Sequence, residues 1–231
     1  MITANCRDRF TAEDFDFVVQ TLARSERDSV NLVDLLTDGN ARDAILDHPR
    51  LFQSLLEDGA PLSISPQLYF YVLTRHVLKE TGLNDRVLAD YVASLLQTFS
   101  DRARMRSPAD GSDGPIQYVS DMLVALRQAS PTQTFLIRAH VGNYSLFVSG
   151  IFRDSVECRA HRGAPDVSFY EDVGSTSYRA AAGHRVARSA ELSGVFDQLA
   201  DRFRDVRRAL NRLADSLLHL DDSHTPQIAL P

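Results

Sequence analysis

The most hydrophobic stretch of the sequence, residues 135–152 (FLIRAHVGNYSLFVSGIF), contains side chains that can do chemistry. His140, Asn143 and Tyr144 are spaced so that a helix places them on one face, while Arg138 falls on another. A histidine there can bind a metal or haem or transfer protons, and the amide and phenol can orient a ligand. The three residues of the shared face therefore define a candidate internal pocket, and Arg138 is a further candidate ligand-binding residue on another face. The alternative, which we favour for a helix buried on all sides, is a network of polar groups that satisfy one another.

Two other parts of the sequence carry candidate ligand-binding residues. His76 and Glu80 are four residues apart and can face the same way on a helix, but a pair supplies too few ligands for a metal. A second group surrounds a predicted helix start and consists of Tyr170, Glu171, Tyr178 and His184. Both groups also have a structural interpretation: a histidine paired with a carboxylate, and acidic residues placed at a helix N-terminus.

Charge is distributed unevenly along the chain. Residues 1–60 contain 12 acidic and 6 basic side chains, and the remainder contains 19 of each, so only the N-terminal quarter is acidic. Lys79 is the only lysine, a composition typical of GC-rich bacterial genomes. A basic segment can contact a phosphate or an acidic partner through Arg202, Arg204, Arg207, Arg208 and Arg212. Interleaved aspartates also fit an ordinary charged helix face, and the overall balance argues against general nucleic-acid binding.

No catalytic signature that we tested is present. The Glu-x-x-His repeats of di-iron bundles, His-Glu-x-x-His, glycine-rich nucleotide loops and Gly-x-Ser-x-Gly are all missing. Cys158 and His161 have a zinc-like spacing without a second pair, and no Cys-x-x-Cys-His is present to attach a haem. The sequence therefore identifies no cofactor and favours a non-enzymatic function, with haem and metal binding left open.

Helical periodicity dominates the sequence and predicts an all-α bundle of about eight to ten helices. The hydrophobic stretch predicts a buried central helix over about 132–152. The longest predicted helix covers about 192–220, where Phe196, Leu199, Phe203 and their successors form a heptad seam. Small residues flank this seam, which favours packing within a multi-helix bundle over a dimer seam.

Local signals place other elements. Thr11 and the pair Ser65–Pro66 are typical helix starts. We predict an irregular segment over 153–174, with a short extended piece at DSVECRAHR, followed by a helix over 175–190. These elements are expected to form one domain over residues 1–220, with a mobile loop at 101–115 and a C-terminal tail at 221–231.

Composition suggests the class of protein. No stretch of 18 residues is apolar and free of charge, and the first ten residues have no apolar core, so we expect neither a membrane span nor a secretory signal. Two cysteines make no disulfide framework, which favours the cytoplasm. We therefore predict a soluble binding or regulatory protein that acts on a protein partner or on itself. The alternative is a small-molecule or cofactor-binding protein, an enzyme included, with its pocket at His140, Asn143 and Tyr144.

Overall fold

A computed structural model describes residues 2–57, 64–100 and 119–221, and side chains as far as residue 217. Within these ranges the chain forms thirteen α-helices and no strand, which confirms the predicted all-α bundle and exceeds the predicted number of helices. A 3₁₀ helix at Arg7–Arg9 precedes α1 (Ala12–Leu22), α2 (Glu26–Thr37), α3 (Gly39–Leu46), α4 (Pro49–Glu57), α5 (Pro66–Glu80) and α6 (Arg86–Phe99). The later helices are α7 (Val119–Ala125), α8 (Pro131–Ile151), α9 (Arg153–Ala160), α10 (Val167–Ala182), α11 (Arg185–Ser189), α12 (Ser193–Asp201) and α13 (Phe203–Asp221).

The starts of α1 and α5 are tied together by one buried carboxylate. Thr11 and Asp14 form a capping box at α1, in which the Thr11 side chain accepts from the Asp14 N–H and the Asp14 carboxylate accepts from the Thr11 N–H. The same carboxylate accepts from the backbone N–H and the hydroxyl of Ser65, at 2.7 and 2.6 Å. The Ser65 oxygen in turn caps α5 by accepting from the Leu68 N–H. Both predicted helix starts are confirmed, and Asp14 fixes their relative position.

α8 is the central helix and is buried along most of its length, as predicted. It packs against α10 on one side and α13 on another. Two glycines set these close approaches. A Cβ built on Gly142 would lie 2.7 Å from the Tyr178 ring, and one on Gly150 would lie 2.9 Å from Leu210 Cβ. Any larger side chain at these positions would push the neighbouring helix away, so the glycines permit the dense packing of the core.

The predicted helix over 192–220 is interrupted. α12 ends at Asp201 and α13 begins at Phe203, because Arg202 leaves the helical conformation with φ −113° and ψ 22°. Neither glycine nor proline stands nearby in the sequence to signal the break. The seam residues from Phe196 to Leu213, among them Leu199 and Val206, are nevertheless buried within this chain. The seam is therefore part of the bundle core.

The prediction of an irregular segment over 153–174 is wrong. Residues 153–160 form α9, including most of the segment that was expected to be extended. α10 then begins at Val167, where the Asp166 carboxylate accepts from the Phe169 N–H at 2.9 Å and caps the helix. The predicted helix over 175–190 is divided between α10 and α11, since Gly183 ends the first and His184 caps the second.

Two predictions concern residues that fall almost entirely outside the described ranges. The predicted loop at 101–115 and the tail at 221–231, apart from Asp221, lie outside the described residues. Among the described helices, none combines the length and the apolarity that a bilayer crossing requires.

Candidate functional site

Asn143 is the centre of a buried hydrogen-bond network that joins three helices. Its Oδ1 atom accepts from the hydroxyl of Tyr91 on α6 at 2.9 Å and from the hydroxyl of Tyr178 on α10 at 2.8 Å. An amide oxygen has two lone pairs, so these two donors fill its accepting capacity. The rings of both tyrosines pack on Phe196, with centroid distances of 5.5 and 5.6 Å. The arrangement is that of a polar network inside an aromatic core.

The other residues of the predicted internal pocket lie around this network. His140 is buried, with its ring centroid 5.4 Å from that of Phe99. Tyr144 is half-buried and packs where the main apolar core meets a smaller cluster beneath α7. Arg138 is also half-buried. Within the described part of the chain, no group of three or more histidine, cysteine or acidic side chains is arranged to hold a metal ion.

Burial changes the titration of the two tyrosines. Removal from water raises the pKa of Tyr91 and of Tyr178 well above the usual value near 10, since the charged phenolate is disfavoured in an apolar core. The folded chain therefore retains protons that the unfolded chain releases. The stabilising contribution of the two buried tyrosines is present in full below about pH 10, and it is lost as pH rises through their raised pKa values in the folded state.

We expect the free energy of unfolding to fall as pH rises above about 10, because only the unfolded state gains from ionising these tyrosines. The double variant Tyr91→Phe/Tyr178→Phe should lose less stability than the parent over the same alkaline interval. Urea unfolding followed by circular dichroism between pH 8 and about 11 measures both slopes. Equal slopes in parent and variant would show that the two hydroxyls ionise normally in the fold.

His184 and Tyr170 take structural positions. The His184 Nδ1 atom accepts from the Val186 N–H at 3.2 Å and so caps α11, while its ring stacks on Phe135 with a centroid distance of 5.2 Å. Tyr170 is half-buried and meets Phe169 edge to face.

Glu171 connects α10 to the basic segment of α13. Its carboxylate accepts from Arg204 Nε at 3.0 Å and from Arg207 Nε at 2.8 Å. Arg207 is buried and donates to Asn211, whose amide donates to the backbone carbonyls of Ser149 and Gly150 at 3.0 and 2.7 Å. The hydrogen bonds of Glu171 and Arg207 therefore hold α10, α13 and the end of α8 together.

The rest of the predicted arginine surface is divided. Arg202, which immediately precedes α13, is exposed and pairs with Asp205 in the first turn of that helix at 2.6 Å. Arg208 and Arg212 are exposed, as is Arg204, which donates to Glu171. Of the five arginines only Arg207 is buried, so the other four remain candidates for an interaction surface.

His76 lines a small cleft whose residues come from three helices and could not be grouped from the sequence. Its Nε2 lies 3.3 Å from Glu80 Oε1, and its ring stacks on Phe52 with a centroid distance of 3.8 Å. The cleft encloses about 200 Å³, including the part open to solvent. Its lining residues come from the end of α3, from α4 and from α5: Leu46, Asp47, His48, Phe52, Val72, Arg75, His76 and Lys79.

An almost completely buried arginine forms the inner wall of this cleft. Arg75 is 1% exposed and holds Asp47 through two hydrogen bonds, Nε to Oδ1 at 2.7 Å and Nη2 to Oδ2 at 2.9 Å. Nη2 also donates to Asn84 Oδ1, whereas Nη1 is buried and has no hydrogen-bond partner among the described residues. Such an unpaired buried donor is unfavourable and calls for an explanation.

Asp47 is shared by several cations. Besides Arg75, Lys79 Nζ and Arg86 Nη2 lie 3.6 and 3.4 Å from Asp47 Oδ2. Burial alone would raise the pKa of Asp47, but the hydrogen bonds from Arg75 and the charges of the three cations together lower it below its usual value. Arg75 interrupts the apolar residues of α5, which signals a buried charge in the sequence. The spacing of residues does not show that Asp47 is its partner.

No family model, no curated protein and no solved structure matches this chain, so the functional inferences below rest on its own residues and their geometry.

Proposed function

We propose that this chain is a non-enzymatic interaction protein that docks on a protein partner through α2. The carrying observation is an exposed aliphatic surface on this one helix. Val30, Val33 and Leu35 are 63%, 54% and 49% exposed, and they account for three of the five large hydrophobic residues that are exposed in the described chain. Val30 and Val33 lie one turn apart on the same side of α2, and exposed apolar side chains that neighbour each other are typical of a protein-binding surface.

The apolar surface of α2 is wider than its contact with the bundle. Each residue turns the helix by about 100°, so the apolar positions of α2 occupy an arc of roughly 220° around the helix axis. Val30 lies at one edge of this arc, Leu36 near its centre and Leu35 at the other edge. Of these side chains only Leu36, near the centre of the arc, is buried. The helix packs mainly on α1 and α3. The exposed side chains therefore flank a narrow contact, as in helices that insert into a groove on another protein.

Charge defines the partner further. The polar positions of α2 and its caps include Glu26, Asp28, Asp34 and Asp38, against the single cation Arg27. A groove that is apolar at its base and basic at its rim complements this helix. The exposed arginines of α13 on a second copy complement this negative charge, so self-association is one form of the same proposal. Cys6 and Cys158 are unpaired, which fits the cytoplasmic location that we propose.

We expect the double variant Val30→Asp/Val33→Asp to lose binding while keeping its fold, since both side chains are mainly exposed. Sedimentation velocity of the purified chain over a concentration series detects self-association. Quantitative affinity purification from the native cells detects another protein. Two charges in an apolar contact should weaken binding by at least about a hundredfold, because each leaves an uncompensated charge in the interface.

The matched control is Val124→Asp, which places the same charge at a valine that is 61% exposed on α7. This variant should self-associate or retain partners like the parent. Docking through α2 is wrong if the parent is monomeric and affinity purification recovers the same proteins with the parent as with the Val30→Asp/Val33→Asp variant.

The small-molecule alternative at His140, Asn143 and Tyr144 remains a second proposal, extending to haem or metal. The two hydroxyls that fill the accepting capacity of the Asn143 oxygen argue for a structural role of this face. Absorbance and metal analysis of protein purified without chelators test it, since a Soret band or stoichiometric metal would support the alternative.

A further inference from the structure

Residues 2–10 form a segment of their own ahead of α1. Within the described chain, no backbone–backbone hydrogen bond joins this segment to the helical bundle. Phe10, at the junction with α1, has an extended backbone with ψ 141°. The start of α1 is fixed independently, because Asp14 bonds to Thr11 and to Ser65. The segment can therefore leave the bundle without disturbing α1.

Arg7 anchors this segment to three helices. Its Nη1 donates to both carboxylate oxygens of Asp43 on α3 at 3.1 Å, and its Nε lies 3.6 Å from Asp90 Oδ2 on α6. The guanidinium also lies over the Tyr71 ring on α5, 5.8 Å from its centroid. A planar guanidinium pairs with carboxylates and stacks on aromatic rings, so this combination of groups suits an arginine side chain.

The charge of this site depends on Arg7. Arg86 Nε also approaches Asp43, at 3.6 Å, but Arg7 is the only cation paired with Asp90 among the described residues. Asp90 is 3% exposed, and removal from water raises its pKa despite the opposing hydrogen bond and charge of Arg7, while Asp8 adds to the shift. The ionised carboxylate is therefore held at a cost that hydration would relieve, which weakens the docking of the segment.

The docked segment also buries a thiol. Cys6 is 1% exposed, and its Sγ atom lies 3.2 Å from Ser94 Oγ on α6. Burial raises the pKa of the Cys6 thiol to about 11, so almost no reactive thiolate is present at neutral pH. The thiol becomes reactive only when the segment leaves its position.

We propose that residues 2–10 are a detachable strap, and that Asp43, Asp90 and Tyr71 form a guanidinium-binding site that the strap fills with Arg7. When the strap leaves, the bundle stays folded, and both the Cys6 thiol and the guanidinium site become accessible. The segment that fits the open site is the strap itself, so a second copy of residues 2–10 supplied in trans binds there. The proposal is independent of docking through α2.

Thiol labelling of the native chain tests the detachment. In a Cys158→Ser background only Cys6 can react with Ellman's reagent. We expect urea, at concentrations at which circular dichroism shows a folded bundle, to accelerate labelling much less steeply than it promotes global unfolding, because strap release exposes little surface. Arg7→Ala should accelerate labelling at least about tenfold, the worth of one hydrogen bond to a charged group.

The matched control for labelling is Arg9→Ala, which removes an exposed cation from the same segment. This variant should label like the Cys158→Ser parent. A detachable strap is ruled out if labelling has the urea dependence of global unfolding, or if Arg7→Ala and Arg9→Ala label at the same rate.

A peptide tests the guanidinium site itself. A fluorescein-labelled synthetic peptide of residues 2–10 is titrated into the full-length Arg7→Ala variant under reducing conditions, and binding is followed by fluorescence anisotropy. We expect saturable binding, and at least about tenfold weaker binding by a peptide that carries the Arg7→Ala change. The site is wrong if the unchanged peptide shows no saturable binding, or if the two peptides bind equally.

Discussion

Replacing Asn143 by leucine is expected to lower the free energy of unfolding by about 2–6 kcal/mol. Leucine keeps the branched arrangement of the side-chain heavy atoms, although it is larger than asparagine, and it removes the acceptor shared by Tyr91 and Tyr178. Both hydroxyls would then lie in the core without an acceptor, and each unsatisfied buried group costs about 1–3 kcal/mol. Urea unfolding monitored by circular dichroism measures the loss.

A triple variant separates this cause from a packing defect. Adding Tyr91→Phe and Tyr178→Phe to Asn143→Leu removes the stranded hydroxyls, so most of the lost stability should return. A loss below about 1 kcal/mol for Asn143→Leu alone would contradict the network and would favour the pocket alternative for this face of α8. The comparison therefore decides between the two interpretations of the polar residues in the hydrophobic stretch.

Asp47→Ala is the second substitution with a large expected effect. It leaves the guanidinium of Arg75, which is 1% exposed, without its two carboxylate hydrogen bonds. Removing one partner of a buried ion pair typically costs about 3–5 kcal/mol, because the remaining charge stays desolvated. Asp201→Ala is the matched control, since Asp201 pairs with Arg179 on the surface, where the two side chains are 60% and 54% exposed. We expect the control to lose less than about 1 kcal/mol.

The effect of Asp47 should also depend on pH. Its folded pKa is lowered, so its contribution to stability is present above the unfolded value near 3.9 and is lost as pH falls through the folded value. The difference in unfolding free energy between the parent and Asp47→Ala should therefore shrink below about pH 4. A difference that stays constant from pH 6 to about 3 would show that the Asp47 charge does not stabilise the fold.

Local features of the sequence were sufficient to predict much of the helical architecture. The starts of α1 and α5 depend on residues within one turn, such as Thr11 with Asp14, so their signals are contiguous. Burial of α8 follows from apolar residues on all its sides. Asn143, by contrast, binds hydroxyls that lie 52 and 35 residues away in the chain. The spacing within one helix cannot show which side chains a neighbouring helix will bring to it.

The cleft was missed for the same physical reason. Arg75 and Asp47 are 28 residues apart, and they meet only because the end of α3 packs beside α5. His76 and Glu80 are four residues apart and could be paired from their spacing, whereas the distant partner of the adjacent Arg75 could not. The break at Arg202 has no local cause in residue type either, since arginine is a good helix former. These features are determined by tertiary packing, and the periodicity of a single sequence does not show which helices pack together.

The position of α13 has a consequence for how the chain is synthesised. This last described helix covers α5 and α8, with Leu210 against Gly150 and Asn211 on the carbonyls of residues 149 and 150. A ribosome releases the N-terminal part of a chain first. Until α13 emerges, the apolar surfaces of α5 and α8 lack this cover. The nascent chain therefore exposes these surfaces to chaperones until residues 203–221 have left the ribosome, and only then can α13 complete the core around α5 and α8.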